Sequence, residues 1–265
     1  MQDILKKHKK VLIIGIMIVL VLVVAVIMLR WEGSSTTGGK GTPIKERNLE
    51  KVGDTLRAAG LSNVDLFETW VYEYYESEDS NLPAYSDADC RLTAMLLLDD
   101  QISCDNTEEY KGDYLMVDVD KLEHEGTYMF IRDNLQVFTT LFGEMPIPES
   151  GIENALPDNW KKNGLKVFNE NASLVSVVFT TMDGDEAFVG HTGVLIDCRK
   201  LEDTEYENYL FVEKIAFGDK FMATEIESPE ELTSLLSERP DYTTEKGEPK
   251  ALVYINDKLL GELKQ

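Results

Sequence analysis

Nineteen consecutive residues without a charge, Val11 to Leu29 (VLIIGIMIVLVLVVAVIML), constrain this chain more than any other feature. At about 1.5 Å rise per residue, a helix of that length spans roughly the 30 Å hydrocarbon layer of a bilayer. The run exceeds the apolar core of an ordinary signal peptide. It continues into Leu-Arg-Trp-Glu with neither a small-residue cleavage site nor a cysteine for lipid attachment. The expectation is an uncleaved single-pass anchor over residues 11–30. Residues 1–10 form a basic segment in which Lys6, Lys7, Lys9 and Lys10 hold the N-terminus in the cytoplasm, so that the remainder is exported. Trp31 then falls at the outer interface.

Residues 31–47, which include the Gly/Ser/Thr-rich stretch GSSTTGGKGTP, read as a flexible extracellular linker, and residues 48–265 as the exported domain. The formal net charge of −23 hides an asymmetry. Residues 1–47 hold eight Lys/Arg and three Asp/Glu, so residues 48–265 hold 18 and 46 and carry about −28. That surplus argues against nucleic acid as a partner and against docking on anionic lipid or wall polymers. The only membrane contact expected is through the N-terminal helix. Met182-Asp-Gly-Asp185 is too short for a calcium loop and reads as a hairpin turn. Cys90, Cys104 and Cys198 are odd in number, so at least one thiol stays free or bonds another molecule. None has the C-x-x-C spacing of a zinc site. A disulfide between Cys104 and Cys198 is left open.

Helical periodicity comes first along the domain. Asn48 to Ala59 reads as a helix stopped by Gly60, and Ser62 as the cap of a second that carries Leu66, Phe67, Trp70 and Tyr74. In YSDADCRLTAMLLLDDQ, Asp87 or Asp89 supplies an N-cap and Leu92, Met95, Leu96 and Leu98 an apolar helix, with Cys90 in its first turn. Tyr114 to Leu122 is ambiguous between strand and helix; Phe130 to Phe142 and Ile152 to Leu165 look helical. The period then switches to two. Ser173 to Thr181, Ala187 to Asp197, Tyr209 to Phe217 and FMATEI read as strands. Ser228-Pro-Glu-Glu231 resembles a capping box opening a helix to about Glu238, and Ala251 to Ile255 a last strand before a turn at Asn256-Asp257. Helices followed by a mostly antiparallel sheet make the fold class α+β.

Chemistry is suggested by three residues. Cys90 at a helix start lies near the partial positive charge of unpaired amides, which favours a thiolate. His191, on the strand FVGHTGVLID, is one of only three histidines and could serve as its general base and acid. In YLFVEKIAF, alternation puts Glu213 on one face with Phe211, Ile215 and Phe217, where an unpaired carboxylate is costly. If that strand pairs with the His191 strand, Glu213 can accept from the imidazole and orient it. Each residue also has a plain structural role: a small buried apolar group, a bonded strand histidine, a solvent-facing acid.

The blocks NVDLFETWVYEYY, DCRLTAMLLL, FVGHTGVLI, LFVEKIAF and FMATEIESPEELTSLL resemble, in that order, an uncharacterised domain-of-unknown-function family of exported proteins from Gram-positive bacteria. More remotely, Asp89-Cys90 and His191-Thr-Gly-Val194 are similar to the Asp-Cys-Ser-Gly helix start and His-Val-Gly-Ile strand of NlpC-like cysteine peptidases, which have the papain fold and cut peptides in bacterial cell walls. The resemblance implies Cys90 as nucleophile and His191 as base. Arg91 and Leu92 stand where those enzymes have Ser-Gly, and Glu213 where they usually have His, Asn or Gln.

The expected function is therefore amide hydrolysis in cell-wall peptide or another peptide substrate by a membrane-anchored surface domain with a Cys90-His191-Glu213 site. Neither metal nor organic cofactor is implied. Acyl transfer to an acceptor other than water is not distinguished from hydrolysis. The alternative is a non-catalytic envelope or surface binding module of papain-like fold; Tyr72, Tyr74 and Tyr75 would suit a binding surface, although they read first as packing and rim residues.

Overall fold

A computed structural model describes residues 41–78, 83–124, 126–215, 220–239, 242 and 251–264. The apolar run Val11–Leu29, and the anchor expected from it, lie outside them. Among the described residues no helix is long and apolar enough to cross a membrane.

The domain is α+β, with helices followed by an antiparallel sheet. Strand β1 (Thr42–Pro43) precedes helices α1 (Glu46–Ala58), α2 (Val64–Glu76) and α3 (Cys90–Leu98). Next come the short β2 (Ile102–Ser103), α4 (Met116–His124), a 3₁₀ stretch (Gly126–Asn134), α5 (Leu135–Phe142), β3 (Met145–Pro146), α6 (Ala155–Lys162) and β4 (Lys166–Val167). The strand-rich half holds β5 (Ala172–Thr180), β6 (Glu186–Asp197), β7 (Tyr209–Lys214), β8 (Phe221–Ile226), α7 (Glu231–Ser237), β9 (Leu252–Ile255) and β10 (Lys258–Glu262). Eight strands form one sheet in the order β1-β8-β7-β6-β5-β9-β10, with β3 also on β6.

Several expectations need correcting. Tyr114–Leu122 yields a helix, α4, because Leu115, Asp118 and Leu122 recur at helical spacing on its buried side. Asn63 rather than Ser62 precedes α2, and the Ser62 hydroxyl instead donates to Asp100. α7 begins at Glu231, the last residue of the proposed capping box and two residues after Pro229, whose carbonyl accepts from Leu232 N–H at 3.0 Å in the preceding turn. Part of the expected linker belongs to the domain. Thr42 and Pro43 pair with Ala223 and Met222, and Ile44 is fully buried. The three tyrosines are packing and rim residues rather than one surface: Tyr74 is in the core against Phe221, Tyr75 is partly buried, and Tyr72 alone is exposed.

Two cores sandwich the sheet. On one face, alternate residues such as Val194, Ile196, Leu210 and Val212 meet the helical half, including Phe67, Trp70, Leu92 and Met95. On the other face, Val175, Val177, Leu195 and Phe211 are covered by Leu232, Leu235 and Leu236 of α7. α3 is buried along its whole length. That explains its apolar composition all round, in contrast to the one-sided stripe Val64, Phe67, Trp70, Val71, Tyr74 of α2.

The sheet has an interruption. β5 pairs with β6 from Ala187 to Ile196 and so fills one edge of β6. On the opposite edge, β7 covers β6 only from Val194 to Asp197, and β3 only at Glu186 and Ala187. Phe188 to Gly193 have no strand neighbour on that edge among the described residues, and the gap contains His191.

Candidate functional site

α3 starts where it does because Asp89, extended at φ −112°, accepts from Leu92 N–H through its side chain at 2.8 Å. Cys90 is thus the first helical residue. Arg91 follows, and its guanidinium reaches into the gap of the sheet. Its Nη1 lies 3.1 Å from the Tyr114 hydroxyl and 3.4 Å from the Val189 carbonyl. Its Nη2 lies 2.9 Å from Asp89 Oδ2 and 2.8 Å from Asp118 Oδ2. The side chains of Arg91 and Tyr114 therefore satisfy a β6 carbonyl that a neighbouring strand would otherwise satisfy. Arg91 thus has a structural role of its own.

His191 occupies the bulged region of β6. Register shifts between Val177 and Val178, so that His191 lies opposite Val177 and Gly190 is the extra residue. Val177 belongs to the α7 side of the sheet, and so do His191 and, two residues beyond Phe211, Glu213. Gly193 permits the close packing between these two positions: a Cβ there would stand 2.6 Å from the Phe211 ring.

The structure brings His191 and Glu213 together. Nε2 lies 2.6 Å from Glu213 Oε2, with both side chains fully buried. Arg239, just after α7, grips the same carboxylate with both terminal nitrogens, Nη1 at 2.6 Å from Oε2 and Nη2 on Oε1. Burial alone would raise the Glu213 pKa, but Arg239 and the imidazole outweigh it and hold the carboxylate down at about 2. With Glu213 ionised, Nε2 carries a proton and donates to it, leaving the Nδ1 lone pair as acceptor. Tyr242 fills that position: its hydroxyl lies 2.8 Å from Nδ1, and its ring stacks on the imidazole at 4.6 Å. Burial lowers the His191 pKa, partly offset by Glu213, so the ring is neutral at physiological pH.

Cys90 is not joined to this chain of hydrogen bonds. Both His191 nitrogens have oxygen partners, and α3 packs on the other face of the sheet. The thiol lies near the gap, where the Thr192 N–H helps to lower its pKa, and its charge would be felt at the Tyr242 hydroxyl. Burial, then Asp89, nevertheless push the thiol up to about 12, against the opposing pull of Arg91 and Thr192. The helix start alone does not make Cys90 a thiolate.

Reasoning from sequence missed Arg239, Tyr242 and Asp118. Asp118 shares Arg91 with Asp89, its Oδ1 has no hydrogen-bond partner among the described residues, and burial followed by Asp89 raises its carboxyl to about 7. The other cysteines lie elsewhere. Cys104 contacts the Asn163 carbonyl, Cys198 is buried, and all three thiols are free.

A family model described as a domain of unknown function (DUF4300) matches residues 55–260, and the chain belongs to that family. No curated protein and no solved structure matches it.

Proposed function

We propose that this member of the family is a papain-like cysteine hydrolase of the exported, membrane-anchored kind, acting on an amide bond in cell-wall peptide or another peptide. The observation that carries the reading is the buried Arg239–Glu213–His191 series. It fixes one imidazole tautomer and leaves Nδ1 as the accepting atom, on the strand whose next residue, Thr192, turns its N–H to the Cys90 thiol. In the reaction Nδ1 takes the thiol proton as Cys90 Sγ bonds to the substrate carbonyl carbon. The C–N bond then breaks, and the amine leaves with the proton held by His191. Water, deprotonated by the same nitrogen, attacks the thioester, releasing the acid and restoring the thiol. Amides at the start of α3 would stabilise the oxyanion. The likeness of Asp89-Cys90 and His191-Thr-Gly to the NlpC-like motifs supports the same roles. No metal or cofactor enters this scheme.

The test is incubation of the full chain, wild type and Tyr242→Phe, with cell-wall peptides and a general peptide library, with products read by mass spectrometry. Cleavage lost in Cys90→Ala and in His191→Ala is expected. Cleavage by neither chain, or cleavage that survives Cys90→Ala, overturns the reading.

One observation favours the alternative, a surface binding module of the same fold without catalysis: the Cys90 thiol is buried and raised to about 12. Peptide retained by both wild type and Cys90→Ala, without cleavage, would select it.

A further inference from the structure

The atom that the proposed reaction needs most is already occupied. Nδ1 of His191 is the only imidazole nitrogen free of Glu213, and the Tyr242 hydroxyl holds it at 2.8 Å. The contact is well built. Tyr242 is buried, its ring stacks on His191 at 28° between planes, and the Arg239 guanidinium lies 5.6 Å from the ring centroid. The phenol also stays protonated, since burial and then Glu213 raise its pKa well above the ordinary value. It therefore donates to Nδ1, as a thiol would at the start of the reaction. The hydroxyl occupies the one imidazole nitrogen that is not committed to Glu213.

We infer that Tyr242 is an internal blocking residue: by donating to His191 Nδ1 it keeps the imidazole from Cys90, and the site becomes competent only when this contact is broken. The inference rests on the hydrolase reading above and adds to it a latent state. Tyr242 also fixes which tautomer is present while the site waits, because donation to Nδ1 reinforces donation from Nε2 to Glu213. The apposition predicts an opposite effect for two substitutions at one hydrogen bond. Removing the hydroxyl should raise thiol reactivity, and removing the imidazole should abolish that gain.

The experiment measures alkylation of Cys90 by iodoacetamide at pH 7.5 in the full chain carrying Cys104→Ser and Cys198→Ser. Four forms are compared: the parent, Tyr242→Phe, His191→Gln and the double variant. Tyr242→Phe keeps the ring and its stacking. It should react about tenfold faster or more, as expected when the thiolate fraction rises by the same factor. The double variant should return to the parent rate. Equal rates in parent and Tyr242→Phe overturn the block. If the parent already reacts quickly and slows in His191→Gln, the Cys90–His191 pair stands and Tyr242 does not obstruct it. If Tyr242→Phe accelerates alkylation equally with and without His191, the hydroxyl merely shields the thiol, and the pair itself fails. A second measurement does not depend on any variant folding. In the ¹⁵N spectrum of the wild-type imidazole, Nε2 should carry the proton and Nδ1 should show the signal of a hydrogen-bonded acceptor. A proton on Nδ1 would reverse the contact and overturn the proposal.

Discussion

At the scale of single residues, Glu213 is decided by a balance of large opposing effects. A buried carboxylate without partners is costly, yet here it accepts two bonds from Arg239 and one from His191. Glu213→Gln keeps the shape but leaves the Arg239 charge buried and uncompensated. Urea denaturation of that variant should show a loss of about 3–5 kcal/mol, the range for breaking a buried ion pair. A loss under about 1 kcal/mol would mean that the guanidinium reaches water, contrary to its burial. The face that Glu213 shares was legible from the sequence because side chains alternate along a strand and Phe211 stands two residues earlier; that both faces of β7 are buried was not. Arg239 and Tyr242 were not legible. They sit after a helix, 48 and 51 positions from His191 in the chain, in a polar stretch with no period. Arg239 there reads as an ordinary basic helix end. Only the tertiary fold gives either residue its partner.

Elements account for what the sequence showed of the fold. The long elements α1, α2, β5 and β6 were placed nearly to the residue: burial on one face leaves its mark at spacing 3.6 in the two helices, and the two strands, buried on both faces, read as β-branched apolar runs bounded by turn residues. Short elements carry too few turns to do so, and α4 was ambiguous for that reason. The gap in the sheet was hidden altogether, since nothing in Phe188–Gly193 tells which neighbouring strand stops early. The cap of α3 offers a test at this scale. Asp89 both accepts from Leu92 N–H and pairs with Arg91. Asp89→Asn keeps the acceptor and removes the charge, whereas Asp89→Ala removes both. Asparagine caps about as well as aspartate, so Asp89→Ala should be less stable than Asp89→Asn by about 1 kcal/mol, within the 0.5–2 range of capping. Equal stabilities in thermal or urea unfolding would show that the cap is not what starts α3 at Cys90. The edge strand gives a second test. Ile44 is fully buried, and its N–H donates to the Phe221 carbonyl at 2.9 Å. Ile44→Ala should therefore cost about 2–4 kcal/mol. A loss below about 0.5 kcal/mol would return residues 41–47 to the linker that composition alone suggests.

For the whole molecule, two groups of buried acids and bases pull the pH dependence in opposite directions. Glu213 is held at about 2 in the folded chain against an ordinary 4.5, and His191 is also lowered. Folding favours their deprotonated forms. Their contribution is complete above their ordinary pKa values, and it is lost as pH falls below about 6.5 for His191 and from about 4.5 towards 2 for Glu213. Asp118 behaves the other way. Its folded pKa of about 7 lies above the ordinary 3.8, so the fold prefers it protonated. Its contribution is complete below about pH 4 and is lost as pH rises through 7. Burial is the main cause, and Asp89, which shares the Arg91 guanidinium with Asp118, adds to it. Once both are ionised, one negative charge is left over in a buried place. Asp118→Asn removes that surplus while leaving Arg91 its partner Asp89. Between pH 4.5 and 7.5 the variant should gain stability relative to wild type, by roughly 2–4 kcal/mol in all, since each tenfold change in proton affinity on folding is worth about 1.4 kcal/mol. Urea unfolding of both chains at four pH values across that window measures the difference directly. A difference that does not change with pH would show that Asp118 is ionised throughout, with Arg91 and water supplying all the compensation it needs. A difference that grows as pH rises would identify the Asp89–Arg91–Asp118 group, with two carboxylates on one guanidinium, as a buried charge imbalance that folding relieves by protonating Asp118.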